Sequence, residues 1–275
     1  MYVLSKDRLT LIINGLVEGQ SIRALERITG IHRDTIMRWM VRVGDSCAAM
    51  HHRLVRNVQV RYAQADELWS FVGEKGSTFE KFDPTNGWKG EAWVFVAMDA
   101  DTKLVLSYAV GHRDQDTAYH FLTDLRGRIT GPFQLTTDGF PGYVGAAYQN
   151  LMAMEGVDFG QLVKIYKGDE VIAARPTVVF GNPNVDKIST SYVERQNLTL
   201  RTNSKRFTRK TIAFSKKAGH HLAALHLGFA HYNFCRVHRS LKMTPALAAG
   251  IADHLWTTDE LVEPAWSTFH QESFR

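Results

Sequence analysis

AWVFVAMDADTKLVLSYAV, residues 92–110, holds two apolar runs around a short acidic turn. Residues 92–98 and 103–110 read as neighbouring strands, and Asp99-Ala100-Asp101-Thr102 supplies hairpin turn chemistry. Upstream, Val58, Val60 and Tyr62 alternate, and Leu68, Trp69, Phe71 and Val72 continue an apolar run that contains Asp66. Downstream, Asp114 or Asp116 caps a helix through Leu125, and residues 133–137 form a short strand ending at Asp138. Gly139 and Pro141 break the chain before a helix from about Gly142 to Met154. Further strands are expected at 161–166 and 176–180, and helices at 189–203 and 216–236, with a short one opened by Thr244-Pro245. The order β-β-β-α-β-α predicts an α/β layer with a mixed sheet.

Residues 6–45 predict three short helices instead. Leu9, Ile12, Ile13, Leu16 and Val17 recur at helical spacing, and Gly19 ends the first helix. Ser21 can cap the second, with Ile22, Leu25 and Ile28 as its buried stripe and Gly30 closing it. The third begins near Arg33 and buries Ile36, Trp39, Met40 and Val43. This is a helix-turn-helix pattern, whose last helix would present Arg33, Thr35 and Arg38 to DNA.

The 275-residue length fits one or two domains, and 44% hydrophobic with 22% charged residues excludes wholesale disorder. Only Cys47 and Cys235 are present, so a zinc ribbon and a disulfide framework are excluded and a reduced, cytoplasmic setting is expected. No long apolar run suggests a membrane span or signal peptide. Without a GxxxxGK[ST] loop no nucleotide cofactor is expected, and without a GxSxG elbow a hydrolase triad has no support. The net charge of +5 conceals a partition. Residues 1–60 carry +4, residues 61–194 carry −6, and residues 195–217 hold eight Lys/Arg and no acid. Basic segments attract phosphate backbones.

Three acids in the middle region can supply chemistry. Asp66 lies in an apolar strand, where Asp is depleted; Asp138 ends a strand; Glu194 opens a helix. Each alone also reads as an ordinary turn or surface acid. Converging, they could hold one or two Mg²⁺ (or Mn²⁺) ions, because a hard cation needs oxygen ligands that offset its charge. Asn197, Arg201 and Lys205 follow Glu194 at steps of three and four, a stripe suited to gripping phosphates; Arg195 and Arg206 extend the basic run. The histidines His220, His221, His226, His231 and His238 lack metal-ligand spacing. Trp88 is the tryptophan best placed to be an exposed stacking platform.

Ser191-Tyr192-Val193-Glu194-Arg195-Gln196-Asn197-Leu198-Thr199-Leu200-Arg201 resembles the catalytic-glutamate helix of the insertion-sequence-one-like family of DDE transposases, within the retroviral integrase superfamily. Asp66 in Ala-Asp-Glu-Leu-Trp and Asp138 in Thr-Thr-Asp-Gly-Phe are similar to that family's two aspartates. The segments 22–30 and 232–246 resemble its helix-turn-helix and its closing motif. The resemblance implies an RNase-H-like catalytic domain preceded by an all-α helix-turn-helix domain. It implies that Asp66, Asp138 and Glu194 are both catalytic residues and metal ligands. It also implies Mg²⁺-dependent cleavage at element ends and transfer of the 3′-hydroxyl into target DNA.

The expected partners are terminal inverted repeats, target DNA and further copies of the chain, at least a dimer on DNA, at the nucleoid. The expected division is a DNA-binding domain at 1–48, a linker at 49–60, a catalytic domain at 61–252 and a tail at 253–275. An insertion with added strands is expected near 157–187, because Asp138 and Glu194 are further apart than in integrases. The alternatives are a decayed transposase acting as a repressor and a metal-dependent nuclease that does not join strands.

Overall fold

A computed structural model of the chain describes residues 4–75 and 88–273. The elements begin with α1 (Lys6–Val17), α2 (Ile22–Thr29), α3 (Arg33–Leu54), β1 (Val58–Gln59), β2 (Tyr62–Val72), β3 (Gly90–Asp99) and β4 (Val105–Gly111). Then come α4 (Gln115–Arg126), β5 (Ile129–Thr130), β6 (Phe133–Asp138), α5 (Pro141–Asn150), β7 (Val157–Lys167) and β8 (Glu170–Phe180). The chain closes with α6 (Ser191–Asn203), α7 (Ala218–Phe234), α8 (Pro245–Ala248) and α9 (Thr258–Ser273). These residues form two compact units. One holds residues 55–69 and 92–198, and the other holds 4–54, 70–75, 88–91 and 199–273.

In the helical unit, local signals set the first turns. Ser21 Oγ accepts from the Ala24 amide at 3.1 Å, and Gly30 ends α2 at φ 69°, a conformation that favours glycine. The Glu26 carboxylate accepts from the Arg33 amide at 2.9 Å and so caps α3. Leu25 is buried as its spacing predicts, but Ile28 is 66% exposed, so the stripe expected on α2 is narrower than its sequence suggests.

α3 runs unbroken to Leu54, through the span expected to open a linker. Cys47, Met50 and His51 carry its buried stripe onward against α7. The two helices meet at Gly44, where a Cβ would lie 2.5 Å from the Ala223 carbonyl oxygen. Residues expected to form a tail are instead largely helix α9. Its Phe269 ring packs 5.0 Å from Trp39, and Lys6 on α1 pairs with Asp259 and Glu263. Trp88 is buried against His221 rather than exposed. Burial holds His221 and His226 neutral, their pKa values lowered to about 3 and about 4.

The other unit is built on a six-stranded sheet in the order β4-β3-β2-β6-β7-β8. β3 and β4 are antiparallel, β2, β6 and β7 run parallel, and β8 returns antiparallel on the edge. A β hairpin beside a parallel trio, with the first strand central, is the RNase-H-like arrangement. Asp99 ties the hairpin turn by accepting from the Asp101 and Thr102 amides and the Thr102 hydroxyl. Within the span 157–187, β7 pairs parallel with β6 and β8 pairs antiparallel with β7 on the edge.

α4 starts at the Asp114 cap, whose carboxylate accepts from the Thr117 amide. Phe121 of α4 and Tyr143 of α5 pack on Phe95 of β3, with ring centroids 5.7 and 5.9 Å away. The start of α6 is held by Gln64 of β2, whose side-chain oxygen accepts from the Tyr192 and Val193 amides. Among the described residues no helix is long and apolar enough to cross a membrane.

Candidate active site

Strand register brings the two aspartates together. Ala65 of β2 pairs with Thr137 of β6, so Asp66 and Asp138 are the next residues along two parallel neighbours. Parallel partners in register point to the same face, so their carboxylates converge at the end of β6. The turn beyond is braced. Phe140 N–H donates to Asp138 Oδ1 at 3.0 Å, and Gln161 of β7 donates to the Asp138 and Phe140 carbonyls.

A third acid joins them, and it is Glu67. One carboxylate oxygen from each of Asp66, Glu67 and Asp138 lies within 4.8 Å of the other two. The Glu67 side chain is only 2% exposed. Its Oε2 accepts from Arg113 Nε at 3.1 Å, and its carboxylate is also buried beside the Tyr143 hydroxyl. Arg113 Nη2 also reaches Asp138 Oδ2 at 3.5 Å, while its guanidinium lies 4.3 Å over Phe140. One cation is thus shared by two of three crowded carboxylates.

The electrostatics follow from that shortage. Loss of solvent raises the Asp66 pKa to about 6, with the Asp138 and Glu194 charges adding to it against the Glu67 amide and Asn197. Burial and then the Asp138 charge push Glu67 up to about 7, against the Tyr143 hydroxyl and the pull of Arg113. Three hard oxygen donors with one cation among them fit a divalent ion in both charge and chemistry.

Glu194 stands outside this cluster. Its Oε1 accepts from Lys164 Nζ at 2.6 Å and from Thr190 Oγ1 at 2.8 Å, and its side chain is 39% exposed. One turn later Asn197 Nδ2 donates to Asp66 Oδ2 at 2.9 Å. Asn197 is 4% exposed, so its side chain is turned inward to Asp66.

The basic positions also separate. Arg33, Arg38, Arg195 and Lys205 are exposed, while Thr35, which accepts from Arg38, and Arg201 are partly buried. Lys205 lies past the end of α6, in the short turn Lys205–Phe207, so the helical stripe stops before it. Arg206 is partly buried, donates to Ser215 Oγ at 2.9 Å and reaches the Met40 sulfur at 3.7 Å, so less of it is open to a phosphate than its place in the basic run suggests.

Glu67 and Arg113 are the residues that sequence reasoning missed. Strand alternation sends Glu67 to the face opposite Asp66. One of its carboxylate oxygens nevertheless lies within 4.8 Å of oxygens of Asp66 and Asp138, beside the end of β6.

The family model described as IS1 transposase matches residues 163–232. The insertion element iso-IS1n protein InsB of Shigella dysenteriae is 28% identical over 158 residues, covering 58% of this chain and 86% of that protein. The insertion element IS1 protein InsB of Shigella sonnei is 24% identical over 175 residues, covering 62% and 96%. Among solved structures, a piggyBac transposase synaptic complex aligns with 100% of this chain and 74% of its own, at 10% identity and TM-score 0.42. The Mos1 strand transfer complex aligns over 57% of each chain at 14% identity and TM-score 0.26.

Proposed function

We propose that the chain acts as an IS1-like transposase of the DDE type, which cuts DNA at the ends of an insertion element and joins the freed 3′-hydroxyl to target DNA. The observation that carries this reading is the partly buried convergence of Asp66, Glu67 and Asp138 around a single counterion, Arg113. Asp66 and Asp138 would hold a divalent ion, with Glu194 completing the set once it leaves Lys164. Bound there, one or two Mg²⁺ or Mn²⁺ ions supply Lewis-acid stabilisation of the attacking and leaving oxygens.

The chain's own groups do the rest. Asn197 and the Glu67 amide orient the Asp66 carboxylate, and Arg113 with Gln161 fixes Asp138 and the turn after it. In the first step water adds to phosphorus and the 3′-oxygen leaves with a proton. In the second that 3′-hydroxyl adds to a target phosphorus, and a target 3′-oxygen leaves. Arg195 and Lys205 would meet phosphates, and Arg33 and Arg38 would meet the terminal repeats. Joining two ends needs two copies of the chain, working at the nucleoid in the cytoplasm.

The test is a labelled duplex taken from the DNA flanking the reading frame, incubated with Mg²⁺. Nicked and joined products are expected, and Asp66→Asn, Asp138→Asn and Glu194→Gln should lose both while still binding. Nicking without joined strands would make the protein a nuclease. Binding with no nicking under any divalent ion would make it a repressor.

A further inference from the structure

The segment between α6 and α7 carries six Lys/Arg and no acid over residues 205–217. Its stem is fixed. Gly73 N–H donates to the Ser215 carbonyl at 2.8 Å, Phe214 lies 5.0 Å from Phe71, and Phe207 is fully buried. At the apex Thr211 Oγ1 accepts from the Ala213 amide at 2.9 Å, which tightens the turn and leaves Ile212 101% exposed. Arg209 and Lys210 are exposed beside it. With Phe71, Lys75 and Thr211 they line an open depression at its foot.

A single exposed aliphatic side chain is ordinary on a protein surface. The setting of Ile212 is not. It is β-branched and stiff at χ1, stands at the tip of an anchored turn, and is flanked by cations with no carboxylate in the segment. Cations hold phosphates, and an apolar wedge between base pairs replaces part of the stacking it disrupts. An anionic membrane would also attract these cations, but one aliphatic side chain provides too little apolar area to insert.

We infer that Ile212 is a DNA wedge: it enters a base step of duplex DNA whose phosphates are held by Arg209, Lys210 and Lys75. This rests on the transposase reading above and adds a local distortion of the bound duplex to it.

The test uses the full chain without divalent ions and duplexes from the flanking DNA, each with 2-aminopurine at one position. Anisotropy reports binding, and 2-aminopurine fluorescence reports unstacking. Wild type should raise the fluorescence at one step. Ile212→Ala should abolish that rise while keeping affinity within about threefold, and Ile212→Leu should restore it. Arg209→Gln with Lys210→Gln should instead weaken binding about tenfold and flatten its salt dependence. Binding with no fluorescence rise at any position, or a rise that survives Ile212→Ala, overturns the wedge alone. Failure of wild type to bind any flanking duplex overturns the transposase reading, and the wedge with it.

Discussion

The acids carried by strands and the acid carried by a helix meet opposite electrostatic conditions. Asp66, Glu67 and Asp138 crowd at the end of β6, and burial with mutual repulsion raises Asp66 to about 6 and Glu67 to about 7. Glu194 on α6 is half-buried and already satisfied by Lys164 and Thr190. Burial works most strongly against the charge on Lys164, but the Glu194 hydrogen bond and the Glu194 and Asp66 charges together outweigh it and raise its pKa. The strand acids therefore outnumber their one counterion, Arg113, whereas the helix acid has a lysine of its own. Breaking an exposed pair of this kind costs little, on the order of 1 kcal/mol or less.

The sharpest way to break that contrast is to remove one acid from each region. Asp138→Asn should lower cleavage and joining by about 10⁴-fold or more, as loss of a member of a catalytic set does. It should also remove any rise in melting temperature produced by Mg²⁺. Glu194→Gln should be as damaging to cleavage but keep most of that rise. Equal loss of the thermal response in both variants would show that helix and strands bind the ion as one unit.

Glu67→Gln tests the crowding itself. The Mg²⁺ concentration for half-maximal activity should rise about 10- to 100-fold, the range for groups that support metal ligands. The effect on metal-free stability has a definite sign. Folded Asp66 and Glu67 keep protons up to about pH 6 and 7, while their unfolded counterparts lose them near pH 4. The folded state therefore binds more protons between those values, and stability falls as pH rises through them. Relative to Glu67→Gln, wild type should lose melting temperature from about pH 4 to about pH 7. A constant difference across that range would refute the repulsion.

The smallest effect belongs to Lys164→Met. If Glu194 must leave Lys164 to meet an ion, removing the lysine should lower the Mg²⁺ requirement about two- to fivefold, the worth of a partly exposed ion pair. An increased requirement would mean that Lys164 instead holds Glu194 in its working position.

Much of the helical unit was legible because its signals are local. The Ser21 cap, the Gly30 stop and the stripe of Ile36, Trp39, Met40 and Val43 each depend on residues within a turn or two. The failures came where a distant element decided the outcome. Ile28 has the right spacing but stays 66% exposed, Trp88 is covered by His221, and α3 passes the expected linker because α7 continues its buried face. In the sheet, the hairpin and the strand before Asp138 were legible from alternation and turn chemistry. The role of β7 was not, because strand order is set by pairing between remote segments.

The amino-acid sequence by itself determined an α/β layer after three helices, with Asp66 in a strand, Asp138 ending one and Glu194 opening a helix. Periodicity and caps act over a few residues, so one dimension suffices to read them. Only the tertiary structure decided that Glu67 joins the aspartates, that Asn197 turns inward to Asp66, and that Lys164 holds Glu194. Those contacts depend on the β2–β6 register and on where β6 ends, which no local pattern specifies.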